Sequence, residues 1–223
     1  IGNMKITVNG QIGQYEHTVK ELLSRIQKGS NLHVEITQGE GGLSVSYQGE
    51  AAYITYTQPC QLFRGVGYLL QWHEEGRNQA NVTEQPAFEH LTYMVDCSRN
   101  AVCSFDYVRQ LIRQMALMGY DRLMLYTEDT YEIKDYPFFG YLRGRYSQEE
   151  LRALDEYAAS FGIELVPCIQ TLAHLNGIFH WREFDSVHDT ADILCCDLNE
   201  TYALIEAMVR TCAETFHSRV LNI

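Results

Sequence analysis

The 223-residue sequence predicts an α/β protein in which a small α+β domain precedes a run of alternating strands and helices. About the first 85 residues hold short strands separated by turn glycines, whereas the later strands are apolar and are followed by amphipathic helices. Each later strand also runs directly into polar residues. We therefore expect residues 1–86 to form an α+β accessory domain and residues 87–223 to form the first half, about four βα units, of a (β/α)8 TIM barrel.

The first domain is predicted from turn and capping signals. Thr18 with Glu21 three residues later forms a capping box, which predicts a helix that reaches about Lys28 and stops at Gly29. The alternating segments that follow are typical of an antiparallel meander. The polar stretch 75–87 has no clear period and marks the domain boundary. Predicted strands are 4–8, 32–37, 43–47 and 51–57, and a closing helix spans 61–74.

The second domain is predicted from the apolar strands and the helices between them. Ser147 and Glu150 form a capping box at the start of the second helix. An aromatic loop covers 131–146 and a long irregular segment covers 174–197. Predicted strands are 91–95, 122–126, 163–169 and 219–223, and predicted helices are 105–118, 147–161 and 199–216.

The composition excludes some classes of partner. Lys and Arg total 17 against 29 Asp and Glu, and the formal charge of −12 would repel phosphate backbones and anionic lipid surfaces. We expect neither nucleic acid nor a membrane as partner. Seven cysteines, without a Cys-x-x-Cys pair, favour a reducing compartment. With no signal-like segment at the start we expect a cytoplasmic location, and earlier removal of a signal stays open.

Four polar residues follow the predicted strands and are candidates for one site. Arg99 follows the first strand, Glu128 and Asp129 the second, and His174 the third. Because loops after barrel strands meet at one mouth, this placement favours an enzyme. Adjacent residues of an extended segment point to opposite sides, so we expect one carboxylate to face the pocket and the other to orient a partner or cap the loop.

Four segments carry a resemblance to a known family. They are Asp96-Cys97-Ser98-Arg99, Tyr126-Thr127-Glu128-Asp129-Thr130, Tyr136-Pro137-Phe138-Phe139-Gly140-Tyr141 and Pro167-Cys168-Ile169-Gln170-Thr171-Leu172-Ala173-His174. In this order they resemble the family 20 glycoside hydrolases, the β-N-acetylhexosaminidases, along essentially the whole chain. The resemblance implies removal of terminal β-linked N-acetylglucosamine or N-acetylgalactosamine with retention, in which the acetamido group of the substrate attacks the anomeric carbon.

The resemblance also implies roles for single residues. Arg99 would hold hydroxyls of the terminal sugar, or else pair only with Asp96 or Glu128. Glu128 and Asp129 would be acidic residues at the mouth, and His174 would position the catalytic acid. The sequence departs from the family at several positions, which indicates a divergent branch and leaves His174 without a carboxylate at position 170. The departures are Cys168 and Gln170 in place of acidic residues and Leu172-Ala173 in place of Pro-Gly.

The catalytic pair of the family, an adjacent Asp and Glu, follows the fourth barrel strand. The fourth predicted strand ends at Ile223, so we expect the pair directly after it and no catalytic residue within this chain. The fragment alone is then expected to be inactive. Its open half-barrel edges make self-association possible.

Aromatic rings and histidines complete the candidate residues. Trp181, Phe179, Tyr131 and Tyr141 are candidates for stacking on sugar faces, and Trp181 is preferred because it lies in the loop after His174. The histidines 174, 180 and 188 lack the spacing of metal ligands, so we expect no metal and no cofactor.

Two alternatives to the hexosaminidase reading stay open. The first is a non-catalytic carbohydrate-binding or scaffold barrel that keeps the mouth but performs no chemistry. The second is a different barrel hydrolase in which Glu128 or Asp129 is the acid, and Asp129→Asn distinguishes it by loss of turnover rather than of affinity alone. The expected partner is a small-molecule or oligosaccharide substrate with a terminal N-acetylhexosamine.

Overall fold

The computed structural model describes residues 5–26 and 31–223 and divides the chain between two units. The predicted domain boundary after residue 86 stays a prediction, because the first unit also takes in two later segments. The first unit runs to Leu91 and includes Gln110–Asp121 and Ala159–Ile163, and the second comprises Thr92–Arg109, Arg122–Ala158 and Glu164–Ile223.

A five-stranded mixed sheet organises the first unit. The strands lie in the order β1-β2-β4-β3-β5, in which β1 and β4 run parallel to β2, and β3 runs antiparallel to β4 and β5. The predicted antiparallel meander is therefore wrong, since β2 and β3 follow each other in sequence without being neighbours. The elements are β1 (Ile6–Gly10), α1 (Glu16–Leu23), β2 (Leu32–Gln38), β3 (Leu43–Gln48), β4 (Ala51–Tyr56), α2 (Pro59–Glu74) and β5 (Gln79–Glu84).

One face of this sheet is buried and the other is polar. Alternate residues of β2, β3 and β4, such as Ile36, Val45 and Ile54, are buried, as the alternating pattern predicts. Helix α2 packs on the buried face, and a Cβ atom at Gly65 would lie only 2.8 Å from Cγ2 of Ile54. The small residue thus permits close contact between helix and sheet.

Two local predictions in the first unit are wrong. Helix α1 begins at Glu16, so Thr18 lies buried inside the helix and caps nothing. Helix α1 ends at Leu23, before the predicted end near Lys28, and Lys28 and Gly29 themselves lie outside the described residues. The polar stretch after α2 contains β5, whose residues alternate between exposed and half-buried and therefore lack the apolar signal of a core strand.

The barrel segment contains a three-stranded parallel sheet in the order β6-β7-β8. Helix α3 has the predicted bounds, and the capping box of α4 is confirmed: Ser147 N donates to Glu150 Oε2 at 2.9 Å and Glu150 N to Ser147 Oγ at 3.1 Å. The elements are β6 (Thr92–Asp96), α3 (Phe105–Met118), β7 (Arg122–Thr127), α4 (Gln148–Ala159), β8 (Glu164–Ile169), β9 (His188–Thr190), β10 (Ile193–Leu194) and α5 (Asn199–Thr215).

The predicted fourth strand is present only as a single bridge. Asn222 pairs in parallel with Cys168, Ile169 N donates to Asn222 O at 2.9 Å, and Asn222 N donates to Pro167 O at 3.0 Å. The chain therefore returns to the edge of β8 in the direction that a (β/α) barrel requires. Among the described residues, no helix combines the length and apolar character needed to cross a bilayer.

The outer edge of β6 generates a prediction about association. Strand β6 lies at the edge of its sheet, and Met94 on it is 50% exposed. Unpaired edges of this kind favour pairing with another chain. We expect the 223-residue polypeptide to associate, and Met94→Lys to shift it towards monomer, as measured by size-exclusion chromatography with light scattering. Met118→Lys, an equally exposed methionine on α3, is the control. A monomeric parent polypeptide would contradict the prediction.

Candidate functional site

A turn at the end of β6 presents Arg99 to solvent. The Asp96 carboxylate accepts the backbone N–H groups of Ser98 at 2.9 Å and Arg99 at 3.1 Å, which bends the chain out of the strand. Arg99 keeps 61% of its side chain exposed and lies 3.5 Å from Asp96 Oδ2. The guanidinium group of Arg99 is therefore accessible to a ligand.

Glu128 and Tyr126 at the end of β7 orient this guanidinium group. Glu128 accepts hydrogen bonds from Ser98 Oγ at 3.0 Å and from the Tyr126 hydroxyl at 3.1 Å. Arg99 Nη2 donates to the same hydroxyl at 3.4 Å, and Arg99 Nε lies 3.7 Å from Glu128 Oε1. Burial is the main cause that raises the pKa of Tyr126, so its hydroxyl stays protonated and donates a hydrogen bond to Glu128.

Asp129 is turned away from Arg99 and pairs with Arg143 instead. The Asp129 side chain is 1% exposed, and its Oδ1 lies 3.2 Å from Arg143 Nε and 3.1 Å from Nη2. Burial raises the pKa of Asp129, and the Arg143 guanidinium opposes that shift. The two adjacent carboxylates thus have different cationic partners, and only Glu128 belongs with Arg99.

Ser98 joins the two halves into one network. Arg143 Nη2 donates to Ser98 O at 2.9 Å and lies 3.3 Å from Ser98 Oγ, which itself donates to Glu128. A continuous path of polar contacts therefore connects buried Asp129 with exposed Arg99. We call the set Asp129, Arg143, Ser98, Glu128, Tyr126 and Arg99 the polar network.

Two glycines allow loops to close over Asp129. A Cβ atom at Gly140 would lie 1.8 Å from Asp129 O, and Gly140 also has a φ of +66°, which favours glycine. A Cβ atom at Gly177 would lie 2.3 Å from Asp129 Oδ2. That oxygen is buried and has no hydrogen-bond partner among the described residues. Close packing, not polar contact, therefore surrounds this side of the carboxylate.

Among the described residues, no hydrogen bond links His174 to the polar network. Its ring is 56% exposed, and its Nδ1 atom lies 3.7 Å from Asp192 Oδ2. Its φ of +60° is uncommon for a residue with a side chain. The predicted role of His174 in positioning an acid stays a prediction.

The four predicted aromatic candidates differ in their surroundings. Tyr131 is buried against Phe139 at 5.1 Å between ring centroids, so it belongs to the core and is not available for stacking. Phe179 stacks on His188 at 3.9 Å. Trp181 and Tyr141 contact each other at 5.2 Å, and Tyr141 is 44% exposed.

Several contributors to the site carried no signal of their own in the sequence. Ser98 and Tyr126 lie within motifs whose acidic and basic residues drew attention first. Arg143 lies between Gly140 and Gly144, which both have a positive φ. These two glycines are the feature of the sequence that could have indicated an ordered loop around Arg143.

The ends of the parallel strands β6 and β7 thus bring an arginine and two carboxylates into one polar network. Residues 88–223 match the family model described as "Glycosyl hydrolase family 20, catalytic domain". The chain therefore belongs to glycosyl hydrolase family 20, which confirms the family predicted from the sequence motifs.

Solved structures confirm the fold class over nearly the whole chain. An exo-β-N-acetylglucosaminidase from Vibrio harveyi matches with a TM-score of 0.80 at 17% identity, covering 97% of this chain and 42% of its own. A Flavobacterium johnsoniae chitobiase gives 0.79 at 18%, covering 99% and 42%. A β-N-acetylhexosaminidase from Streptomyces coelicolor A3(2) gives 0.79 at 22%, covering 98% and 54%. This chain thus spans about half the length of these structures. The search of curated proteins gave no match.

The pairing of Asp129 with Arg143 predicts a pH-dependent loss of stability. Arg143→Met leaves a buried carboxylate without its cation, at a cost of roughly 3 kcal/mol of unfolding free energy at pH 7. The variant raises the folded-state pKa of Asp129 further above the unfolded value of about 3.9, so the loss grows as pH rises above about 4.

Urea unfolding at pH 4 and pH 7 measures this loss. The double variant with Asp129→Asn should recover most of the pH-dependent part, because it no longer buries a charge. An equal loss at both pH values would contradict the predicted role of the ion pair.

The contact between Gly177 and Asp129 predicts that a single methyl group disturbs the site. Gly177→Ala places Cβ against Oδ2, and we expect a loss of about 1 to 3 kcal/mol in unfolding free energy. Gly39→Ala is a suitable control, because its Cβ would meet only a side-chain methyl of Thr55 at 3.3 Å. Thermal unfolding of both variants measures the difference, and equal stabilities would contradict it.

Proposed function

We propose that the protein carrying this chain removes terminal β-linked N-acetylglucosamine or N-acetylgalactosamine from oligosaccharides, with retention and with assistance from the acetamido group of the substrate. Membership of glycosyl hydrolase family 20 supports the proposal. Matched structures include a Vibrio harveyi enzyme in complex with N-acetylglucosamine and a Streptomyces plicatus β-hexosaminidase in complex with the product.

The observation that carries the proposal is the presentation of Arg99. A planar guanidinium group offers several N–H donors in a fixed geometry, which suits paired hydroxyl oxygens of a pyranose. Tyr126 and Glu128 hold the group from one side while most of it stays exposed. Arg99 therefore binds the terminal sugar, and Glu128 acts as a positioning residue.

In this proposal the residues of this chain hold the terminal sugar, and they do not supply the general acid that protonates the leaving oxygen. The resemblance places the general acid and the acetamido-orienting Asp directly after the fourth barrel strand, and residue 222 lies at that strand position. His174, whose ring is exposed, is proposed to position the catalytic acid, as the resemblance implies.

Burial argues against the alternative in which Glu128 or Asp129 is the acid. Asp129 is 1% exposed and its partner is Arg143, so it cannot reach a glycosidic oxygen. Glu128 already accepts hydrogen bonds from Ser98 and Tyr126, and it is buried beneath Arg99. A general acid needs a proton within reach of the leaving oxygen.

A turnover assay on the natural protein tests the proposal. We expect hydrolysis of methyl β-N-acetylglucosaminide or its galactosamine epimer, and no hydrolysis of the matching β-glucoside, because the glucoside lacks the assisting acetamido group. Arg99→Met should lower kcat/KM roughly 100-fold through loss of charged hydrogen bonds, and Arg99→Lys should recover only part.

Arg210→Met on α5, a half-exposed arginine outside the polar network, is the matched control and should keep full activity. Binding of N-acetylglucosamine without turnover would favour the non-catalytic carbohydrate-binding alternative. Equal turnover of the acetamido sugar and the glucoside would exclude substrate assistance.

A further inference from the structure

We propose that Cys97 and Cys103 form a reversible disulfide that closes the loop carrying Arg99 and so controls binding of the terminal sugar. The bond joins the residue after β6 to a residue two positions before α3, and Arg99 lies between them. The chemistry of the cysteine pair is independent of the proposed function, whereas its effect on sugar binding rests on that function.

The side chains of the two cysteines contact each other beside the hydroxyl of Tyr146. Tyr146 is 3% exposed, its hydroxyl donates to Cys103 O at 2.5 Å, and the same hydroxyl lies 3.7 Å from Cys97 Sγ. Burial is the main cause that raises the pKa of Cys103 to about 11, and the adjacent Cys97 thiol adds to the shift. Both thiols are free. A disulfide therefore requires only that this contact shorten to a bond of about 2 Å.

The two ends of the loop differ in how firmly they are held. Cys97 is fully buried, its N–H donates to Tyr126 O at 2.9 Å, and its carbonyl oxygen accepts from Thr130 Oγ1 at 3.0 Å. Cys103 is half-buried and precedes the first turn of α3. Formation of the bond would therefore draw Cys103 towards Cys97, because Cys97 is fixed to the neighbouring strand.

This movement acts on the part of the polar network that faces the ligand. Ser98 follows Cys97 directly and contacts both Glu128 and Arg143, so it stays in place when the loop is drawn in. Arg99 keeps 61% of its side chain exposed and has room to shift. Since a planar guanidinium group binds paired hydroxyls only in a fixed geometry, the oxidised loop should bind the terminal sugar more weakly.

A small-molecule disulfide supplies the oxidising equivalents for this bond. The thiolate of Cys103, the more accessible cysteine, attacks the small disulfide and releases one small thiol. The Cys97 thiol then loses its proton and attacks the Cys103 sulfur, which releases the second small thiol. The protein thiols thus lose two electrons and two protons, which the small disulfide gains. Because the raised pKa of Cys103 leaves little thiolate at neutral pH, the pair stays reduced until oxidation is sustained.

Mass spectrometry of the natural protein measures the bond without an activity assay. The protein is treated with oxidised glutathione at about pH 8.5, where thiolate is more abundant, and is digested with trypsin without reduction. Trypsin cleaves after Arg99, so a disulfide between Cys97 and Cys103 holds two peptides together. We expect this linked pair, and we expect dithiothreitol to separate it. Cys103→Ala should abolish the link, and Cys196→Ala, which removes an exposed cysteine, should keep it.

Kinetics of the oxidised and reduced protein measure the control over Arg99. For methyl β-N-acetylglucosaminide we expect oxidation to raise KM roughly 10-fold while kcat changes less than about twofold, because Arg99 holds the sugar and the general acid lies elsewhere. Dithiothreitol should restore KM. Cys103→Ala should keep the KM of the reduced protein after the same oxidation.

Three outcomes decide against parts of the proposal. Absence of the linked peptides after prolonged oxidation overturns the disulfide. A linked pair with an unchanged KM overturns the control of sugar binding. Failure of the reduced wild-type protein to cleave the glycoside overturns the proposed function and the effect on KM, while the linked peptides still decide the disulfide.

Discussion

The buried carboxylate of Asp129 is the constraint on which the rest of the site depends. A charge placed where it is 1% exposed needs a cation beside it, and Arg143 fills that need. To reach Asp129, Arg143 must lie in a loop that also contacts Ser98, and Ser98 in turn contacts Glu128. Each contact follows from the one before it, so the position of exposed Arg99 is set by a buried ion pair.

The loops that cover Asp129 serve two purposes. They approach Asp129 closely at Gly140 and Gly177, and they carry the rings of Phe138, Tyr141 and Trp181. Rigid loops on a parallel sheet are suited to both tasks, because the sheet fixes their ends while their middle parts vary.

The local features of the chain were predicted well where a single physical signal decided them. Helix α3 has the predicted bounds because its apolar stripe ends at a glycine, and the Ser147 capping box formed as expected. The prediction of a meander was wrong because an alternating pattern identifies a half-buried strand but does not show which strand lies beside it. Strand β5 was not predicted because its residues are at most half-buried. Thr18 does not cap α1 because the helix begins at Glu16, two residues before it.

The sequence by itself determined the family, the βα alternation and the approximate place of the site, because strand ends and short motifs are local in the chain. Only the tertiary structure decided that Glu128 lies beside Arg99 while Asp129 pairs with Arg143, and that Tyr131 belongs to the core. The physical reason is that an ion pair or a ring contact depends on which distant residues meet. Residue 143 meets residues 98 and 129 only after the loops have folded over the strand ends.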